Sequence, residues 1–180
     1  MPRFSLSALG ADRPGIVAAV TGVLVDQGCN LEDSTMTILQ GQFAVLLVVS
    51  APDATTAVAL EAALAEVTGP LGLVVAVRPL AEPPGGAGTA DEGDPWTISI
   101  HGADRPGIVH AVALALADAE GNVVDLSTHL IGGPDAPVYV MMLRVTLPAG
   151  RAEAALAAVS GAATALGVHC TMHPDESDLL

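Results

Sequence analysis

The sequence predicts an α+β protein of two similar units, each a four-stranded antiparallel sheet with two helices on one face. Three observations lead to this prediction. The octapeptide Gly-Ala-Asp-Arg-Pro-Gly-Ile-Val occurs at residues 10–17 and again at residues 102–109, so the chain contains an internal repeat. Each copy follows a stretch of alternating apolar and polar residues and precedes apolar residues at helical spacing. The resulting element order is βαββαβ, in which right-handed crossovers place both helices on the same face of the sheet.

The first unit contains six predicted elements. Phe4, Leu6 and Ala8 alternate with serines and predict the first strand. The first helix follows the Asp-Arg-Pro-Gly segment, with Pro14 in its first turn and Gly28 at its end. The remaining elements are predicted as strands at residues 31–39 and 42–50, a helix at residues 54–67 and a strand at residues 73–78.

The second unit repeats this order 92 residues later, since 102 − 10 = 92. Ile98 and Ile100 predict its first strand, Pro106 lies in the predicted first helical turn, and Gly121 marks the predicted helix end. The domains are predicted at residues 1–80 and 95–180, joined by a Pro/Gly-rich acidic linker at residues 81–94.

The third strand of the first unit is apolar on both faces, because every residue from 43 to 49 is apolar. A strand of this kind is typical of a sheet that is covered on both sides. A unit of about 80 residues also has a small core of its own. We therefore expect the second sheet face to be buried against the other half or a second copy, and we expect a homodimer.

The composition excludes several classes of function. The chain has 6 basic and 20 acidic residues, a formal net charge of -14, so direct nucleic-acid binding and a polybasic membrane anchor are not expected. The longest apolar stretch, residues 43–49, is far shorter than the ~20 residues of a membrane-spanning helix. No secretory signal is found, so we expect a cytoplasmic protein whose two cysteines are reduced.

The sequence predicts neither a metal site nor a cofactor. On a strand, His169 and His173 would lie about 13 Å apart, and Cys170 would point to the opposite face. No phosphate-binding Gly-rich loop and no nucleophile with its base is found, so no catalytic residue is predicted. His101 directly precedes the second octapeptide, where a ligand pocket could use it. The histidines expected to be isolated are His101, His110 and His129.

The chain has two predicted βαββαβ units, and Asp-Arg-Pro-Gly-Ile-Val opens the first helix of each. The first unit also has Gly-Cys-Asn-Leu-Glu-Asp-Ser at residues 28–34. In these features the chain resembles tandem ACT-domain proteins of ferredoxin-like fold. More narrowly, the chain resembles the glycine cleavage system transcriptional repressor group. The regulatory N-terminus of formyltetrahydrofolate deformylases has a similar segment. The resemblance implies a non-catalytic regulatory protein that binds a small ligand, usually an amino acid such as glycine or serine, at domain interfaces and acts through a protein partner.

The resemblance and the residues together indicate where a ligand would bind. A loop entering a helix N-terminus offers unpaired amides to a carboxylate, and Gly15 lets a ligand approach closely. Asp12 can accept hydrogen bonds from an ammonium group, and Asn30 can both donate and accept. These two positions match those that bind serine-type ligands in ACT domains. The full set of predicted ligand-binding residues is Asp12, Gly15, Ile16, Asn30, Asp104, Gly107, Ile108 and Asn122.

Alternatives remain for both the residues and the function. Asp12 and Asp104 are also typical helix caps, and Asn30 and Asn122 are typical turn residues. Besides a regulator of glycine and one-carbon metabolism, the sequence allows a ligand-free interaction module. A small enzyme or metal-binding protein that uses the histidines is a weaker alternative, because no histidine accompanies a recognisable nucleophile.

Overall fold

The computed structural model describes residues 1–81, 93–133 and 137–175. It contains two βαββαβ units, which confirms the predicted fold class. The first unit consists of β1 (Arg3–Ala11), α1 (Ile16–Asp26), β2 (Asn30–Leu39), β3 (Gln42–Ser50), α2 (Ala57–Thr68) and β4 (Val74–Leu80). The second consists of β5 (Asp94–Gly102), α3 (Ile108–Asp118), β6 (Asn122–Ile131), β7 (Val138–Leu147), α4 (Ala152–Ala165) and β8 (Val168–Pro174).

The chain divides into two compact units, Met1–Gly86 and Ala87–Leu180. The division falls within the predicted linker, of which residues 82–92 lie outside the described residues. Asp94, the last residue of that predicted linker, is the first residue of β5. In the described part of the chain, none of the helices combines the length and the apolar character that crossing a membrane requires.

Each sheet is fully antiparallel and has the same strand order. The order is β2-β3-β1-β4 in the first unit and β6-β7-β5-β8 in the second, so β2 and β6 are edge strands. Leu6 on β1 lies between Leu47 and Val77 on the neighbouring strands. Because directly opposite residues point to the same face, this register gathers the alternating apolar residues beneath the helices.

The core of each unit lies between the sheet and its two helices. It is built almost entirely from aliphatic side chains, as the low aromatic content of 2% requires. On β3, Phe43, Leu47 and Val49 are buried in this core. Leu46 points to the other face and is 48% exposed. The cover expected for that face, and the homodimer that would supply it, therefore stay predictions.

Three predicted helix starts are wrong by a few residues. Helix α1 begins at Ile16, so Pro14 lies in the turn before the helix and not in its first turn, and the same holds for Pro106 before α3, which begins at Ile108. The reason is Gly15, whose left-handed backbone does not continue a right-handed helix. Helix α2 begins at Ala57 and not at residue 54, because extended Thr56 is its N-cap and its hydroxyl accepts a hydrogen bond from a helix amide.

The helix end predicted at Gly121 also differs in detail. Helix α3 ends at Asp118, and the residue with a left-handed backbone after it is Glu120, with a φ of 60°. The Glu120 carboxylate pairs with Arg151 at the start of α4. Gly121 lies in a tight space, because a Cβ there would lie 2.8 Å from a methyl carbon of Leu147 and 3.2 Å from the carbonyl oxygen of Leu116.

Candidate functional site

Both octapeptides begin with a glycine that lies close to the start of the last strand of its unit. A Cβ on Gly10 would lie 2.8 Å from the carbonyl oxygen of Gly72. A Cβ on Gly102 would lie 2.9 Å from a methyl carbon of Val168. A side chain at either position would separate neighbouring strands, so glycine allows the loop that follows to stay against the sheet.

The last glycine of each Asp-Arg-Pro-Gly segment is the N-cap residue of a helix. Gly15 caps α1 with a φ of 91°, and Gly107 caps α3 with a φ of 94°. Among the described residues, no side chain hydrogen-bonds to either helix start, and no atom lies within 4 Å of where a Cβ would be. The first-turn amides therefore lack a side-chain acceptor, and the positive end of each helix dipole is accessible.

The alternative in which Asp12 and Asp104 cap the helices is wrong, because within the described ranges neither side chain accepts a hydrogen bond from its helix. The backbone amide of Asp12 donates to the carbonyl oxygen of Gly41 at 2.9 Å, which ties the loop to the β2–β3 turn. In the second unit, the pKa of Tyr139 is raised, mainly by burial and to a smaller extent by the nearby Asp104 carboxylate. A hydrogen bond with Thr128 lowers this pKa and so offsets part of the rise. Both aspartates are exposed and accessible to a ligand.

The two isoleucines of the predicted site point away from the loops. The Ile16 side chain is 1% exposed and the Ile108 side chain is 2% exposed, because each is part of the core of its unit. Only their backbone amides, at the first helical position, are placed to contact a ligand. Of the predicted binding residues in the loops, the aspartates and glycines are therefore the ones exposed to solvent.

The structure does not bring Asp12 and Asn30 together within the first unit. Asn30 lies opposite Ser50, which in turn lies opposite Arg3 at the beginning of β1. Asp12 directly follows Ala11, the last residue of β1. Eight steps along a strand, at ~3.3 Å each, separate the two ends of β1 by about 26 Å. One small ligand cannot contact both side chains of the same unit.

The second unit has the same arrangement. Asn122 lies opposite Thr146, at the end of the sheet far from Asp104. Both Asn30 and Asn122 are the exposed first residues of edge strands, so the alternative in which they shape the preceding turn stays a prediction. A ligand that contacts an aspartate and an asparagine of the predicted set must therefore draw them from different units.

An apolar groove, which the sequence does not reveal, lies between α1 and the edge strand β2. Its volume is about 160 Å³, which is smaller than the ~300–1,000 Å³ of typical ligand pockets and suits a small side chain. Thr21, Ser34 and Thr35 provide hydroxyl groups in an otherwise apolar lining. The lining residues are Val17, Val20, Thr21, Leu31, Ser34, Thr35, Met36, Phe43, Val45 and Leu47.

The second unit has larger side chains at two of the matching register positions. Leu126 lies opposite Leu143 where the first unit has Ser34, and Met141 occupies the position of Val45. The Tyr139 hydroxyl lies 3.8 Å from the Met141 sulfur. These differences show that the two units do not present the same surface beside their first helices.

One histidine prediction is wrong, because His101 is not isolated. It lies on β5 directly opposite His169 on β8, and the two ring centroids are 5.3 Å apart. The separation of His169 and Cys170 onto opposite faces agrees with the register, in which Cys170 lies opposite buried Ile100. Within the described ranges, no group of three or more His, Cys, Asp or Glu residues is placed to hold a metal ion.

Both cysteines are free and partly buried. Burial raises the pKa of Cys29 and of Cys170 above the ordinary thiol value. Neither is therefore an activated thiolate, which a nucleophilic or redox-active cysteine would require.

Two βαββαβ units, each with a glycine at the N-cap of its first helix, define a tandem ferredoxin-like protein. The ACT-domain family profile matches residues 3–78 and 96–173, which together make up most of the chain. The chain therefore belongs to the ACT-domain family and contains two ACT domains in tandem.

Relatives of known sequence match parts of the chain. A UPF0237 protein of Methanopyrus kandleri is 40% identical over 58 residues, which are 32% of this chain and 64% of that protein. A UPF0237 protein of Corynebacterium diphtheriae is 35% identical over 74 residues, 41% of this chain and 83% of that protein. The glycine cleavage system transcriptional repressor of Escherichia coli is 44% identical over 45 residues, 25% of this chain and 24% of that protein. The chain thus spans less than two thirds of the first relative and about a quarter of the repressor.

Solved structures match nearly the full length. A crystal structure of an unknown protein from Galdieria sulphuraria has a TM-score of 0.82 and 27% identity, and the match covers 97% of this chain and 98% of that one. A structure assigned to a glycine cleavage system transcriptional repressor has a TM-score of 0.62 and 18% identity, with 96% of both chains covered. The second likeness shows the tandem fold alone.

Proposed function

We propose that this chain is a non-catalytic regulatory protein that binds an amino acid such as glycine or serine at an interface between ACT units. The observation that carries the proposal is the pair of accessible helix starts at Gly15 and Gly107. No described side chain accepts a hydrogen bond from the backbone amides there. An α-carboxylate is an anion of suitable size and charge for such a position. The exposed Asp12 and Asp104 would bind the α-ammonium group.

The similarity to the Escherichia coli glycine cleavage system transcriptional repressor supports a role in transcriptional control of glycine or one-carbon metabolism. The charge of -14 disfavours direct contact with DNA, because an anionic surface repels phosphate groups. We therefore propose that binding of the amino acid changes the affinity of this protein for a protein partner. That partner would carry any contact with nucleic acid.

The distance of about 26 Å between the two ends of β1 limits which residues can contact one ligand molecule. If Asp12 and Asn30 contact the same ligand molecule, they belong to different ACT units. A homodimer supplies such a pair by symmetry, with Asp12 from one copy and Asn30 from the other. The proposed site is then complete only in the dimer.

A thermal-shift screen of the common amino acids and one-carbon metabolites tests the binding. A ligand at 100 times its Kd stabilises the folded state by about 2.7 kcal/mol, which is readily seen as a rise in Tm. Asp12→Ala and Asn30→Ala should each reduce the rise by more than their effect on stability explains, whereas Asp26→Ala, which changes an exposed aspartate at the end of α1, should respond like the wild type. No response to any compound would refute the ligand and favour the ligand-free interaction module.

Mixing the two variants tests whether the site is shared. In a heterodimer of Asp12→Ala and Asn30→Ala, one site carries both changes and the other is wild type. After unfolding and refolding together, about half of the dimers are mixed, so roughly a quarter of all sites should bind again. Recovery of binding supports a site between two copies, and its absence contradicts that arrangement.

A further inference from the structure

We infer that the second unit carries a two-histidine site for a divalent transition-metal ion on the open face of its sheet, formed by His101 and His169. The two residues are direct partners in the register of β5 and β8. Partners in an antiparallel pair point to the same face, so both imidazoles project on the side of the sheet away from Ile100 and the core. Both side chains are exposed in the structure of the single chain. The site therefore requires that the cover expected for this sheet face in the homodimer leave the histidine pair accessible.

The spacing of the rings fits shared coordination. Zinc binds imidazole nitrogen at about 2.0–2.1 Å in a tetrahedral arrangement, which puts the centres of two coordinated rings roughly 5 Å apart. The ring centroids of His101 and His169 are 5.3 Å apart. The rings are stacked, with 25° between their planes, so each ring must turn about its side-chain torsions to direct one nitrogen toward a common ion. Among the described hydrogen bonds, none fixes either ring.

The chemistry of the ligands selects the kind of ion. Imidazole suits zinc, copper and nickel, whereas magnesium and calcium prefer oxygen ligands. Because no third His, Cys, Asp or Glu of the described residues joins the pair, the protein supplies two ligands and leaves the other positions to water or a small anion. This is an open site and not the closed four-ligand site of a structural zinc.

The site belongs to the second unit alone. At the matching register position of the first unit, Leu9 lies opposite Val74, and neither side chain can bind a metal. The nearest other histidine on this face is His129 on β6. It lies opposite Val140, which in turn lies opposite His101, so one strand, β7, separates the two histidines. His173 is four residues along β8, about 13 Å from His169.

The test is isothermal titration of the untagged, EDTA-treated full chain with ZnCl2, with MgCl2 as a second titrant. We expect saturable binding of about one zinc ion per chain, and binding at least ~tenfold weaker in His101→Gln and in His169→Gln, since a single imidazole does not chelate. The double variant His101→Leu/His169→Val, which places the side chains of the first unit at these positions, should lose the site and keep the fold. His129→Gln and His173→Gln should bind zinc like the wild type.

Several outcomes would overturn the inference. Equal binding of magnesium would show attraction to the acidic surface, and zinc binding that survives His101→Leu/His169→Val would place the ion elsewhere. Equal weakening by His129→Gln would show adsorption to any surface histidine. If the double variant does not fold, NMR of the wild type decides: substoichiometric Ni²⁺ should broaden the imidazole signals of His101 and His169 first, and uniform broadening of all histidine signals contradicts the site.

Discussion

Strand β1 passes so close to the segment before β4 that position 10 has no room for a side chain. A Cβ on Gly10 would lie 2.6 Å from the Leu73 Cδ2 atom and 2.8 Å from the Gly72 carbonyl oxygen. The leucine methyl group can rotate away, but the carbonyl belongs to the backbone. The second distance is about 0.6 Å short of the 3.4 Å at which ordinary contact begins. Because the strands must separate, we expect Gly10→Ala to destabilise the first unit by about 2 kcal/mol, within the ~1–3 kcal/mol range of overpacked sites.

Thermal and urea unfolding followed by circular dichroism measure this effect. For a unit of about 80 residues, a loss of 2 kcal/mol lowers Tm by roughly 8–16 °C. The matched control is Gly22→Ala in the middle of α1, where a Cβ would meet no described atom within 4 Å. That change should stabilise the helix by ~0.5–1 kcal/mol, because alanine has the higher helix propensity. A Gly10→Ala variant that melts at or above the wild-type temperature would refute the steric reasoning.

Three further predictions concern helix α2 and the thiols. Leu60→Ala should cost about 3 kcal/mol in urea unfolding because Leu60 is 0% exposed, whereas Val58→Ala, 80% exposed on the same helix, should cost almost nothing. Thr56→Ala should cost ~1 kcal/mol, since it removes the hydroxyl that caps the helix; an unchanged urea midpoint would contradict that role. Because burial raises the pKa of Cys29 and Cys170, the unfolded chain loses these thiol protons first as pH rises above about 8.5. Stability should therefore fall through that range, and less so in the Cys29→Ala/Cys170→Ala variant.

The order of the elements could be predicted because the repeat shows it twice. The bounds of β3 agree with the predicted residues 42–50, since a continuous apolar run ends in polar residues at both sides. The helix starts were less predictable. A proline next to a glycine is compatible with either the first turn or the residues before it, and only the left-handed backbone of Gly15 decides between them.

The loops of the candidate site could be located from the sequence, but their position relative to Asn30 and Asn122 could not. The Asp-Arg-Pro-Gly segments identify the loops, because glycine and proline impose backbone conformations that can be inferred locally. Nothing local shows that Asp12 and Asn30 lie at opposite ends of the sheet, since that depends on how β1, β2 and β3 pair. The groove beside α1 was also missed. The small Ser34 on the core side of β2 was the one available signal.

The sequence by itself determined that the chain consists of two βαββαβ units, that their cores are aliphatic, and that two glycine-containing loops precede helices. These properties follow from local periodicity and from residues with strong backbone preferences. Only the tertiary structure decided which distant residues meet: it separated Asp12 from Asn30 and paired His101 with His169. The physical reason is that strand register is set by the packing of a whole sheet, so contacts between strands cannot be inferred from the residues of either strand alone.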